Sequence, residues 1–216
     1  MWGVLERLRS LPGVEHAALA SSIPFDGVNL DTSFDLKGQP AKSPEEQHAR
    51  NALVRVMSGE YLQTMGTPLL RGRAISDEDV ETAQFVAVVN QEFVREYLPG
   101  KQPLGQQLEI GGKDIGMEKP YTIVGVMADA VHKNTTQLPM PEIVFSYRQI
   151  PEESLFYGLF LTSATSYVVR TRNAGAISGE IRAAVRQIAP GLLLTTCARC
   201  RRRWMAQTLT SASDFI

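Results

Sequence analysis

"WGVLERLRSLPGVEHAALASS", residues 2–22, carries the reading that decides the fold. Val4, Leu5, Leu8 and Leu11 recur at helical spacing while Glu6, Arg7 and Arg9 fall on the other side, which predicts an amphipathic helix from Trp2 to Leu11. Pro12-Gly13 stops it, because proline cannot continue the hydrogen-bond ladder and glycine accepts the turn. "VEHAALASS" (14–22) then reads as a strand. The same order of helix, Pro-Gly and strand returns at 175–196. There the apolar stripe is Ile177, Ile181, Val185 and Ile188, the stop is Pro190-Gly191, and the strand is "LLLTT" (192–196). The two copies do not align residue by residue, so what repeats is a supersecondary unit. Two such units with short antiparallel strands predict an α+β protein whose two chain ends build a ferredoxin-type βαβ layer.

Between these units the rhythm changes. Strands are predicted at 32–38, 52–58, 84–90, 106–112, 121–129, 142–148 and 166–171. Ser58 is placed to cap a short helix through Tyr61, Leu62 and Met65, closed by Gly66. "QEFVREYL" (91–98) reads as a helix ended by Pro99-Gly100, and Trp204 to Ala212 as a last helix. Ser43-Pro44-Glu45-Glu46 fits either a capping box or a solvated loop. The block 67–148 carries strands of its own and reads as an inserted mixed α/β lobe, which divides the chain into 1–66 with 149–216, and 67–148.

Length and composition narrow the class. A chain of 216 residues buries about 70% of its unfolded surface as one domain or two small ones. Apolar residues make up 44% and charged residues 21%, an ordinary globular balance. The formal net charge of −1 gives no support to nucleic-acid binding. The longest apolar runs, "FVAVV" (85–89) and "LFYGLFL" (155–161), fall far short of the roughly 20 residues a spanning helix needs. Met1 leads directly into an amphipathic pattern rather than a signal peptide. The expectation is a cytoplasmic protein or a soluble piece of something longer.

Catalytic templates are absent from the sequence: no G-x-S-x-G elbow, no phosphate loop ending in G-K-[ST], no H-E-x-x-H. His16, His48 and His132 are far apart. Asp129 and His132 read either as an acid–base or metal pair or as side chains that pin a loop; no third partner is visible, which favours the loop. The carboxylates of "SDEDVE" (76–81) lack the alternation and central glycine of a calcium loop. Ser76 and Asp79 can cap a turn, and acids at a helix N-terminus account for the cluster. Cys197-Ala198-Arg199-Cys200, beside Arg201, Arg202 and Arg203, fits a local disulfide or two idle thiols; cationic neighbours would also lower a thiol pKa and suit redox chemistry. No catalytic residue, cofactor or metal ligand is assigned.

Five stretches in register resemble one known family. They are "VLERLRSLPGVEHAALASSIPF" (4–25), "RVMSGEYLQTMGTPLLRGRAISDED" (55–79), "VAVVNQEFVREYLPGKQPLGQQLEI" (86–110), "YTIVGVMADAVH" (121–132) and "YVVRTRNAGAISGEIRAAVRQIAPGLLL" (167–194). Together they resemble the MacB-like periplasmic core domain of ABC transporter permeases, in the macrolide-exporter and FtsX-like class, and look like permeases of the acidobacterial type. The resemblance implies a porter-like layer from both chain ends plus an inserted lobe. It implies a domain on the periplasmic side of the bacterial cytoplasmic membrane, placed between two transmembrane helices. It also implies a role in efflux by mechanotransmission rather than chemistry.

The partners implied are the protein's own transmembrane helices, a second permease subunit, a cytoplasmic ATPase domain and a periplasmic adaptor protein, with no nucleic acid. In that frame "GEYLQTMGTPLLRGR" (59–73) is an articulation: Gly66 ends a helix, Pro68 stiffens the exit, Gly72 allows a tight bend, and Arg71 and Arg73 hold the two parts together or meet a partner. The run at 201–203 departs from the family pattern, since arginines next to a membrane helix on the outer face oppose the positive-inside rule. Two rival readings remain at the level of sequence. One is a stand-alone periplasmic module that binds a ligand or protein in an apolar groove. The other is a thiol enzyme centred on Cys197 and Cys200. Thiol titration decides the latter: unreactive cysteines, or Cys→Ser variants with unchanged behaviour, remove it.

Overall fold

The structure, a computed structural model, describes residues 2–23, 30–39, 43, 45–46, 50–110, 116–117, 119–130, 138–159, 165–189, 193–199 and 204–210. Helix α1 (Trp2–Arg9) leads into strand β1 (Val14–Ala20), as the opening stretch predicts. The strands that follow are β2 (Asp31–Leu36), β3 (Asn51–Met57), β4 (Leu69–Gly72) and β5 (Val86–Asn90), with helix α2 (Tyr61–Met65) between β3 and β4. Helix α3 (Gln91–Tyr97), β6 (Gln107–Ile110), β7 (Tyr121–Met127), β8 (Glu142–Ser146) and the single turn α4 (Leu155–Tyr157) come next. The chain continues through β9 (Thr165–Thr171), α5 (Ala174–Ile188), β10 (Leu193–Arg199) and β11 (Trp204–Thr210). The fold is mixed α/β.

Of the predicted last helix at 204–212, residues 204–210 form a strand instead. β11 pairs antiparallel with both β9 and β10, so two neighbours satisfy its backbone groups where a lone helix would satisfy them internally.

The strand pairings form two connected sets. β10, β11, β9 and β1 lie side by side in that order, and α1 packs on β1 and on α5. The second set closes on itself: β3 pairs β2, β2 pairs β6, β6 pairs β7, β7 pairs β5, β5 pairs β8, and β8 returns to β3 in parallel. This is a ring of six strands. β1 joins it through a single register pair, Ala20 with Met57 of β3. Serines reinforce that narrow joint. Ser21 N donates to Val56 O at 2.9 Å and Ser21 Oγ accepts from Val56 N at 3.1 Å.

Alternation of side chains fills both faces of the ring strands. Val54 and Val56 of β3, Ala87 and Val89 of β5, and Ile143 and Phe145 of β8 join one buried cluster that runs on to Val4, Leu5 and Leu8 of α1 and Ile177, Ile181 and Val185 of α5. α3 seats Phe93 and Tyr97 on Phe34 of β2, with ring centroids 5.0 and 4.9 Å away. On the opposite face, Tyr61 and Leu62 of α2 and Ile75 cover Met57, Val86, Val88 and Val144, and meet Ala18, Ala20 and Val168 of β1 and β9. β5 and β8 are therefore buried on both sides, which explains their unbroken apolar runs.

One charged pair lies inside this outer layer. Arg55 Nε sits 2.7 Å from Glu142 Oε1 across the β3–β8 seam, with side chains 2% and 1% exposed. Arg55 Nη1 donates to Ser22 Oγ, and Glu142 N donates to Asn90 Oδ1 at 2.9 Å. A buried ion pair contributes little net stability against an apolar replacement, yet removing one partner strands the other charge. Glu142→Leu alone is expected to cost about 3–5 kcal/mol in urea unfolding, and adding Arg55→Met is expected to recover most of it. Equal losses in the single and double variants would contradict this account of the seam.

Candidate functional site

The segment 59–79 runs between the two strand sets. Ser58, predicted to cap α2, does something else. Its hydroxyl accepts from Leu19 N at 2.9 Å and its own N–H donates to Leu19 O at 3.0 Å, so it ties β1 to the start of the segment. Gly66 closes α2 as expected. It lies at φ +73°, and the N–H groups of Gly66 and Thr67 return to Gln63 O and Leu62 O. Arg170 of β9 reaches over this end and donates from Nε to Thr64 O at 2.9 Å; a Cβ on Gly66 would stand 2.6 Å from Arg170 Nη2. A cation here also suits the negative end of the helix. α2 is thereby fastened to β1 and β9.

Two residues later the chain belongs to the ring. Pro68 O accepts from Ala128 N at 2.9 Å, and β4 pairs antiparallel with β7. Gly72 lies at φ +70° opposite Gly125, and a Cβ on Gly72 would come 2.1 Å from Val124 O, one on Gly125 2.1 Å from Arg73 O. Both positions exclude a side chain because the two backbones nearly touch. Gly66-Thr67-Pro68 is thus the crossing itself.

The return passes through 74–79. The helix N-terminus predicted for the acids at 76–81 is not formed; the chain makes turns at 77–78 and 81–82, and Asp77 and Asp79 are matched by side-chain and backbone donors instead. Within the turn Ser76 and Asp79 act as predicted: Ser76 N donates to Asp79 Oδ2 at 2.8 Å. Asp79 also takes a two-pronged grip from Arg73, with Nη1 to Oδ2 at 2.8 Å and Nη2 to Oδ1 at 2.7 Å. Its backbone oxygen accepts from Ser146 Oγ of β8 at 2.9 Å. Burial opposes charging this carboxyl, but the Arg73 fork and the Ser76 amide outweigh it and hold the group below its usual range. Asp77 faces the other way. Its Oδ1 accepts from Gly59 N at 3.0 Å and its Oδ2 from Arg9 Nη1 of α1 at 2.7 Å.

The remaining predicted residues separate. Arg71 is exposed on β4 beside Leu69 and Leu70. Cys197 lies in β10 opposite Gln207, while Cys200, His48 and His132 fall outside the described residues. His16 Nδ1 is 3.5 Å from Glu60 Oε2. Asp129 accepts from Glu92 N at 2.7 Å at the start of α3, a loop-pinning contact; burial pushes its carboxyl up despite Arg95. Sequence reasoning missed Arg9, Arg170 and Gly125. Only Gly125 left a local signal, a glycine inside a strand pattern. Among the described residues no group of three or more His, Cys, Asp or Glu side chains is placed to hold a metal. No helix among them is long and apolar enough to cross a membrane.

The family described as the MacB-like periplasmic core domain matches residues 3–188. The chain belongs to this family. Such domains are parts of ABC transporter permeases. Solved structures share the fold of this MacB-like domain. The periplasmic region of MacB from Actinobacillus actinomycetemcomitans superposes with a TM-score of 0.56 at 10% identity, covering 94% of this chain and 76% of that one. The extracellular domain of the ABC-type transporter YknZ from Gram-positive bacteria gives 0.54 at 12% identity, covering 93% and 85%. No curated protein matches by sequence.

Two substitutions test the geometry by chemical denaturation. Gly72→Ala combines an unfavourable φ with a backbone clash and is expected to cost about 3 kcal/mol or more. Gly100→Ala shares φ +70° but meets nothing within 4 Å, and is expected to cost only about 1–2 kcal/mol. Asp79→Ala is expected to lose about 2–3 kcal/mol at neutral pH, through stranded donors. Because folding depresses the Asp79 pKa, its contribution is complete above about pH 3.9 and fades as pH falls through the lower folded value. The stability difference between wild type and Asp79→Ala should therefore shrink only in that acid range. A difference independent of acid pH would contradict it.

Proposed function

We propose that this chain is the extracytoplasmic domain of an ABC-type permease of the efflux class, and that it passes conformational change between membrane helices and periplasmic partners without making or breaking bonds. The observation that carries this is the family match over residues 3–188. The site geometry supports it: the aspartates at the crossing are engaged by arginines and backbone amides, as fasteners are, rather than paired with a nucleophile. In this reading the four-strand sheet under α1 and α5 is the porter-like layer contributed by 1–66 and 149–216, and 67–148 supplies the inserted lobe. Because β2 and β3 hydrogen-bond with strands of 67–148, the two parts share one continuous sheet. The partners are the protein's own membrane helices, a second permease subunit, a cytoplasmic ATPase and an adaptor protein.

The flanking gene sequence tests the placement. An apolar stretch of about 20 residues is expected close to each end of this segment, and hydrophilic flanks on both sides would end the proposal. With the full-length permease in vesicles, Gly72→Val is expected to abolish transport while leaving ATP hydrolysis by the ATPase measurable. Unimpaired transport would contradict a mechanical role for the crossing.

A further inference from the structure

Asp77 and Asp79 sit two residues apart in one turn, yet each holds a different part of the molecule. Asp77 holds Gly59 and Arg9, on the side of α1, α2 and β1; Asp79 holds Arg73 and Ser146, on the side of the ring. The two grips are unequal. The Asp79 side chain is 6% exposed and accepts from Arg73 and from the Ser76 amide, so letting go would strand a buried carboxylate. The Asp77 side chain is 34% exposed and meets an Arg9 side chain that is 17% exposed.

Arg9 also has somewhere else to go. Its Nε donates to Ala17 O at 3.2 Å, its Nη1 is shared with Glu6 Oε1 at 3.1 Å, and Glu60 Oε1 lies 3.6 Å from Nε. On release from Asp77 the guanidinium keeps carboxylate partners on its own side. While it holds Asp77, its Nη2 is buried with no acceptor among the described residues. A contact with a satisfied alternative on one side and an unsatisfied donor in the closed form suits a two-state element.

We propose that the turn 76–79 is a latch: Asp79 anchors it to the ring, and the Arg9–Asp77 contact is the half that opens and closes, coupling α1 to the turn or releasing it while Gly66-Thr67-Pro68 and the β3 seam stay joined. The proposal rests on the transmitting role above for its purpose, but the latch itself is a property of this chain alone.

Native-state amide exchange on the 216-residue chain reads it out. Arg9→Gln is expected to speed exchange of the Gly59 amide about 5-fold or more, with Val88 and Val144 in the ring unchanged. Asp77→Asn, which keeps an acceptor for Gly59 but removes the charge, is expected to act in the same direction with a smaller change. Arg73→Gln is expected to speed Ser76 and leave Gly59 alone. An unchanged Gly59 amide in Arg9→Gln, or a matching acceleration of Val88 and Val144, would overturn the latch in favour of a plain structural contact. In the full-length permease, Arg9→Gln should lower transport per ATP hydrolysed. If exchange reports the latch and that ratio does not move, the latch stands and the transmitting role falls.

Discussion

Everything in this molecule hangs from strand β3. It hydrogen-bonds to β2 and β8 to close the ring, and it alone among the described strands pairs both with the ring and with β1. Its alternate side chains fill the ring interior with Val54 and Val56 and aim Arg55 into a buried layer. Glu142 on β8 answers that charge. An apolar pair would stabilise the seam as well, so the ion pair is better understood as fixing register. Glu142 meets Arg55 across the parallel ladder only when Leu53 lies opposite it, and a one-residue slip would point the two charges to opposite faces. The joint to β1 is a single register pair plus two serines, narrow enough that the two strand sets are connected at a line and not across a face.

The segment 59–79 supplies the second connection, and its parts follow from the need to cross twice. α2 is too short to be stable alone and owes its shape to Arg170 at one end and the Leu19–Ser58 bonds at the other. β4 can lie against β7 only because Gly72 and Gly125 leave no side chain between the backbones. The acid-rich turn then closes the excursion with one carboxylate on each side. Nothing here resembles an activated nucleophile; what the residues share is attachment, which is the property a domain of this family needs if motion is to pass through it.

The sequence revealed those features whose causes are local. α1, β1 and α5 are legible because their apolar period and the Pro-Gly stop lie within one window, and Gly66 is legible because helix ends favour the left-handed conformation. Closure of the ring was not legible. β3 and β8 are far apart in the chain, and burial on both faces erases the alternation that marks a strand's orientation. β11 was misread for a related reason: a short stretch of mixed apolar residues fits either period, and its strand identity comes from β9 and β10. At the crossing, Gly66 and Gly72 are legible as bend positions because glycine alone takes a positive φ at little cost. The Ser76–Asp79 turn is legible too, but the Asp77 contact is not, because Arg9 lies 68 positions from Asp77 and no local pattern links them.

The claim at the centre is that this domain carries motion. It is tested most directly by a distance measured between spin labels on exposed Gln187 of α5 and exposed Glu109 of β6, in the full-length permease with its ATPase, with and without ATP. The account predicts a distance distribution whose second population grows when ATP is bound. A single distribution identical in both states, in a preparation that still transports, would contradict it.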